Sequence, residues 1–137
     1  MLFFVVLFWI SSCSKKDDTM PATETNFDAA VLNKDFYIGS ASNDGTDITA
    51  QFNGYVFKYS KSNSVAGYVT ANNNLLNFNG TWTTSADFST ITLAFSNAPD
   101  DFNFMNNTWK ISAVSNTSFH LTAADDANKI LNFIQTQ

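Results

Sequence analysis

The groups in this chain that could do chemistry are few, and their spacing limits what that chemistry is. His120 is the single histidine among 137 residues. It lies between Phe119 and Leu121, so strand alternation turns it toward solvent. A role as base or metal ligand would need a fixed carboxylate partner, and the sequence names none. Oxygen donors gather at Asp44 and Asp47, at Asp100, Asp101 and Asn103, and at Asp125, Asp126 and Asn128. Such clusters suit solvated turns, and none has the twelve-residue spacing of a calcium loop. A glycosidase needs two acids facing one cleft, yet no aspartate sits within a strong strand pattern. Neither a glycine-rich phosphate loop nor a Gly-x-Ser-x-Gly turn is present. The seven basic residues are all lysine, which removes the bidentate arginine clamp for phosphate or carboxylate. The one cysteine, Cys13, rules out an intramolecular disulfide and a multi-cysteine metal centre. The inventory points to a protein with no catalysis, no metal and no cofactor.

Aromatic side chains are what the chain has in quantity, at 15% of residues. Tyr37, Tyr55, Tyr59 and Tyr68 carry a polar tip and are the candidates to line a pocket for an apolar ligand or a glycan. Trp82, Trp109, Phe57, Ile91, Leu93, Phe95, Ile111, Phe119 and Leu121 are the candidate core. Charged residues make up only 14% and the net charge is -5, a poor basis for a nucleic-acid groove. Glu, Arg and Gln are scarce while Asn, Thr, Ser and Phe abound, which disfavours long helices.

The elements that must position these groups are strands. From Val31 onward, short apolar runs are broken by Asn, Gly, Ser and Asp. Strands are predicted over 34–42, 48–53, 55–60, 65–70, 75–78, 81–84, 90–95, 108–114, 119–122 and 129–133, with some neighbours forming one bent strand. Tyr55, Phe57 and Tyr59 share a face, as do Ile91, Leu93 and Phe95, and Trp109, Ile111 and Ala113. One apolar face and one polar face is the mark of antiparallel sheets wetted on one side. Residues 123–130 are the one helix candidate. Asp44-Gly45 suits a tight hairpin turn. Between residues 97 and 105, Pro99 and Asp100-Asp101 break the pairing, and Phe102 and Phe104 alternate as if packing inward. Aromatics recur every 27 residues at Tyr55, Trp82 and Trp109. Three such hairpin units with an opening and a closing strand make about eight. The predicted class is all-β, a small antiparallel up-and-down barrel, with a two-sheet sandwich as the alternative.

The front of the chain reads differently. Residues 1–10 are apolar throughout, too short for a membrane-spanning helix but suited to a signal peptide. Ile10-Ser11-Ser12-Cys13 resembles the lipobox of bacterial lipoproteins, which implies a signal peptide over 1–12, acylation of Cys13 and a firm anchor from its several chains. Lys16-Asp17-Asp18 resembles the surface-export signal of Bacteroidota lipoproteins, and Asp18-Thr19-Met20 their O-glycosylation pattern, with Thr19 as acceptor. Residues 13–30 then read as an acylated cysteine and polar tether, with Phe27 as the first candidate docking residue. Residues 31–137 form a single barrel domain.

The segment from Asn79-Gly80-Thr81-Trp82 onward, with Ile91-Thr92-Leu93-Ala94-Phe95, Trp109-Lys110-Ile111 and Ile130-Leu131-Asn132-Phe133, resembles the lipocalin-like domains of Bacteroidota outer-membrane lipoproteins. The resemblance implies a lipid-anchored protein of the bacterial outer membrane, at the cell surface or on the periplasmic face. The expected partners are the membrane, through the anchor, and a small apolar ligand, glycan or envelope protein. The abundance of aromatics, not the resemblance, leaves two roles: ligand binding at an aromatic barrel mouth, or a structural or protein-interaction module with a filled core.

Overall fold

The computed structural model describes residues 18–71 and 74–137, with the side chains of 68–71, 74–76 and 101 outside that description. The order is helix α1 (Glu24–Val31), strands β1 (Asp35–Asn43) and β2 (Thr46–Asp47), a 3-10 turn (Thr49–Phe52), then β3 (Val56–Tyr59), β4 (Ser64–Ala71), β5 (Asn74–Thr84) and β6 (Thr90–Ser96). A second 3-10 turn (Asp100–Met105) leads to β7 (Asn107–Val114), β8 (Ser118–Ala123) and β9 (Ile130–Gln135). Each strand pairs antiparallel with its neighbour, and β9 returns to pair with β1. Strands β1 and β3–β9 thus close an eight-stranded up-and-down barrel, while β2 only extends a hairpin from β1. The sandwich alternative fails because the sheet has no break between two layers.

Local chemistry explains the joints. Asp44 and Gly45 both take positive φ, at 51° and 80°, which sets the twist a two-residue hairpin needs. The β1–β9 register shifts between Ile38 and Ser40. Gly39 sits in that shift, and a Cβ there would meet the Ile134 Cδ1 at 2.2 Å, so a larger residue requires the Ile134 side chain to move.

The core is one continuous apolar cluster inside the barrel. All nine candidate core residues are buried. Phe119 and Phe133 stack at 4.5 Å, and Phe57 packs edge-on against Phe133 at 5.6 Å.

Several sequence expectations change. Residues 24–30 are not tether: they belong to α1, and Phe27, Ala30 and Val31 are buried. Thr23 caps this helix, its Oγ1 accepting from the Asn26 N–H at 3.3 Å. Phe27 packs on Trp82, Phe88 and Phe119 and closes one barrel end. Residues 48–53 form the first 3-10 turn rather than a strand. There the Asp47 carboxylate accepts from both N–H and Oγ1 of Thr49, bending the chain so that Phe52 turns inward. Segments 75–78 and 81–84 are one strand, β5. Residues 123–130 carry the end of β8, a loop and the start of β9, not a helix. A register shift between Ile111 and Ala113 brings Val114 inside and leaves Ala113 half-buried.

One turn gives a pH-dependent test. Asp87, in the β5–β6 turn, accepts from Ser85 Oγ, Ser89 Oγ and the Ser89 N–H. These bonds hold its pKa down at about 2, against an ordinary 3.8. A depressed folded pKa adds stability above the unfolded value that is lost as pH falls through the folded one. The Tm gap between the native chain and Asp87→Ala is therefore expected to be full above pH 3.8 and to close as the pH approaches about 2. A gap independent of pH would contradict the bonding.

Candidate functional site

Among the described residues, buried aromatic side chains pack the barrel interior, and some of them also form the floor of a shallow site at the mouth. Opposite α1, the second 3-10 turn inserts Phe102 into the barrel. Its ring meets those of Phe52, Tyr55, Phe57, Phe78 and Phe95 at centroid distances of 4.4 to 6.2 Å. Phe104 covers Trp109 at 5.4 Å, and the Trp109 indole N–H donates to the Met105 carbonyl at 3.0 Å. Asn106 fixes the same turn, accepting from the Phe95 N–H at 2.6 Å and donating to its carbonyl at 3.2 Å.

Above this plug lies an open pocket of about 290 Å³, lined by Tyr55, Asn77, Phe78, Asn97, Ala98 and Pro99. It has an aromatic floor and two amide side chains at its rim. Such a surface can stack on a flat face and offer both donors and acceptors. Its size is near the lower limit for a small-molecule site.

The four tyrosines do not form one lining. Tyr55 is in the mouth pocket. Tyr37 is on the outer wall, 42% exposed. Tyr59 is fully buried against Phe119, Phe133 and Trp82, so it cannot touch a ligand in this closed barrel. The side chain of Tyr68 lies outside the described residues. Among the described residues the Tyr59 hydroxyl has no hydrogen-bond partner, and burial pushes its pKa well above the usual tyrosine range. Tyr59→Phe removes that orphan and keeps the ring. It is expected to raise stability by about 1 kcal/mol, seen as a higher denaturant midpoint. A lower midpoint would mean that the hydroxyl is satisfied.

The ionisable residues stay dispersed. His120 is half-buried on the outer wall, its Nε2 3.4 Å from Ser118 Oγ, in a 270 Å³ hollow shared with Thr19 and Ser115. Asp44 and Asp126 come together from two loops; hydrogen bonding to Asp126 raises the Asp44 pKa, while the Asn128 N–H, donating at 2.9 Å, and then Asp44 lower that of Asp126. Asp47 is engaged with Thr49, whose two bonds hold its pKa down, and Asp125 accepts from Asn107 at 3.2 Å. Among the described residues, no three His, Cys, Asp or Glu side chains converge on a point that could hold a metal ion. Cys13, Lys16 and Asp17 lie outside the described residues, while Asp18 and Thr19 are exposed.

The sequence did not mark Asn77, Phe78, Asn97, Ala98 and Pro99 as pocket residues. The last three lie in a loop, where alternation carries no signal. The positive φ of Asn97, at 55°, is the one local hint, since asparagine tolerates that conformation.

Comparison with known proteins agrees with the barrel. No family model matches the sequence, and no curated protein matches it. Among solved structures, the crystal structure of a lipocalin-like protein from Bacteroides uniformis is similar, with a TM-score of 0.57 at 13% identity. The match covers 77% of this chain and 98% of that one. At this identity the likeness is one of fold: an all-β, closed eight-stranded antiparallel barrel of lipocalin-like form.

Proposed function

We propose that this chain is a non-enzymatic cell-envelope lipoprotein that binds a sugar residue at the mouth pocket rather than a ligand inside the barrel. The observation that carries this reading is the pocket of Tyr55, Phe78, Asn77 and Asn97, set over a core of packed aromatic rings. A sugar ring presents one apolar face and a rim of hydroxyls, which an aromatic and two amides can answer. In this reading residues 1–12 are a signal peptide, Cys13 is acylated, and Lys16-Asp17-Asp18 direct export to the outer surface of a bacterial outer membrane. Thr19, exposed beside the tether, is the candidate O-glycosylation acceptor.

The test is a soluble-oligosaccharide array followed by calorimetry on the best binder. Tyr55→Ala is expected to weaken binding about tenfold, the factor that ~1.4 kcal/mol produces. An unchanged affinity, or selective binding of aliphatic compounds instead, would overturn the glycan reading.

The filled core also favours a second reading, a protein-interaction module without a small ligand. Exposed Tyr37 is then the candidate contact. An array silent to every sugar, with an envelope protein cross-linking at Tyr37, would decide for it.

A further inference from the structure

The chain enters the barrel at one end only. The Met20 N–H donates to the Val114 carbonyl at 2.7 Å, where β7 finishes beside α1. This is the helix-closed end: there the Asn33 N–H reaches the Tyr59 carbonyl, and Lys34 Nζ reaches the Asn116 carbonyl. The mouth pocket is at the other end. With it are the loops and turns that carry Asp44, Asp47, Asp100, Asp125 and Asp126.

The reach of the tether gives this polarity a consequence. Seven residue steps separate Cys13 from Met20, and a fully extended chain of that length spans about 25 Å. A lipid on Cys13 would hold the helix end within that distance of the bilayer. The mouth is farther by the barrel's height, since the eleven residues of β5 rise about 35 Å along the strand before tilt shortens the projection. Charge adds to this. Lys34, Lys58 and Lys61 stand at or near the helix end against Glu24, Asp28, Asp35 and Asp87, with Lys58 pairing with Asp35 at 3.3 Å and Lys61 with Asp28 at 3.9 Å, so that positive and negative groups there nearly balance. At the mouth, Lys129 lies beside Asp44 and Asp126, and it is outnumbered by the aspartates named above. Anionic headgroups repel the mouth more strongly than the helix end.

We propose that the helix-closed end is the membrane-facing surface, with the lipid bilayer as its partner, so that the mouth pocket is presented away from the membrane. This rests on the anchoring reading, and the experiment separates the two. The lipidated full chain is reconstituted into vesicles of phosphatidylethanolamine and phosphatidylglycerol. It is treated with a bulky amine-reactive polyethylene glycol, beside the same protein in detergent. Mass spectrometry reads the labelling of Lys34, Lys61 and Lys129. The expected result is several-fold slower labelling of Lys34 and Lys61 on vesicles, with Lys129 unchanged. Equal slowing at all three, or protection of Lys129 alone, overturns the orientation. Failure to co-float with vesicles instead overturns native anchoring. In that case the Cys13 thiol is coupled to a maleimide-bearing lipid, and the same labelling ratios judge the orientation.

Discussion

Phe27→Ala is expected to cost the fold about 3–5 kcal/mol, the range for deleting a buried aromatic ring. Phe27 is fully buried, and its ring contacts Trp82 at 5.6 Å, Phe88 at 6.0 Å and Phe119 at 6.2 Å. It joins α1 to β5, the β5–β6 turn and β8, so its loss opens a cavity that no single strand can collapse to fill. Against the ~5–15 kcal/mol of a typical domain, this loss is large enough to shift the urea midpoint severely. Thr25→Ala, on the exposed side of the same helix, is the control and should change stability by no more than about 0.5 kcal/mol. If Phe27→Ala matched the control, α1 would be an appendage rather than a wall of the core.

The second large effect concerns the mouth. Phe102→Ala is also expected to cost about 3–5 kcal/mol, and in addition to create a new binding site. Five aromatic rings surround Phe102, so its removal leaves an apolar void directly beneath the Tyr55–Phe78 pocket. Apolar voids of this kind stay dry and accept small aromatic guests. The variant should bind benzene-sized compounds that the native barrel refuses, and regain part of the lost stability when they are present. Refusal of such guests by the variant would mean that the 3-10 turn collapses inward.

These predictions rest on elements that the sequence reveals unequally. β6 is legible because Ile91, Leu93 and Phe95 alternate strictly with Thr92, Ala94 and Ser96, and the burial follows that alternation. Asp44-Gly45 is legible because few residue pairs accept two positive φ values. Helix α1 is far less so. Its eight residues are too short for periodicity to stand out, although Thr23 as cap and Phe27, Ala30 and Val31 at helical spacing are consistent marks of it. Residues 48–53 mislead because Ile48 and Phe52 imitate a strand, while the bend comes from Asp47 and Thr49, a local side-chain effect outside hydrophobic patterning. The candidate site was legible only at Tyr55. Alternation with Phe57 already places Tyr59 inward, but whether an inward tyrosine faces a cavity or a packed ring is a question of volume. That answer depends on Phe102 entering from a loop: the alternation of Phe102 and Phe104 already marks it as inward, but not which rings it meets or how much space it fills.

The central claim is that ligand is taken at the rim and not within the barrel. The most direct measurement is a backbone and side-chain NMR shift map of the chain titrated with its best-binding oligosaccharide. The account predicts changes confined to Tyr55, Asn77, Phe78, Asn97 and Ala98, with Phe57, Tyr59 and Phe133 undisturbed. Large shifts centred on those three interior residues, with the rim silent, would contradict it.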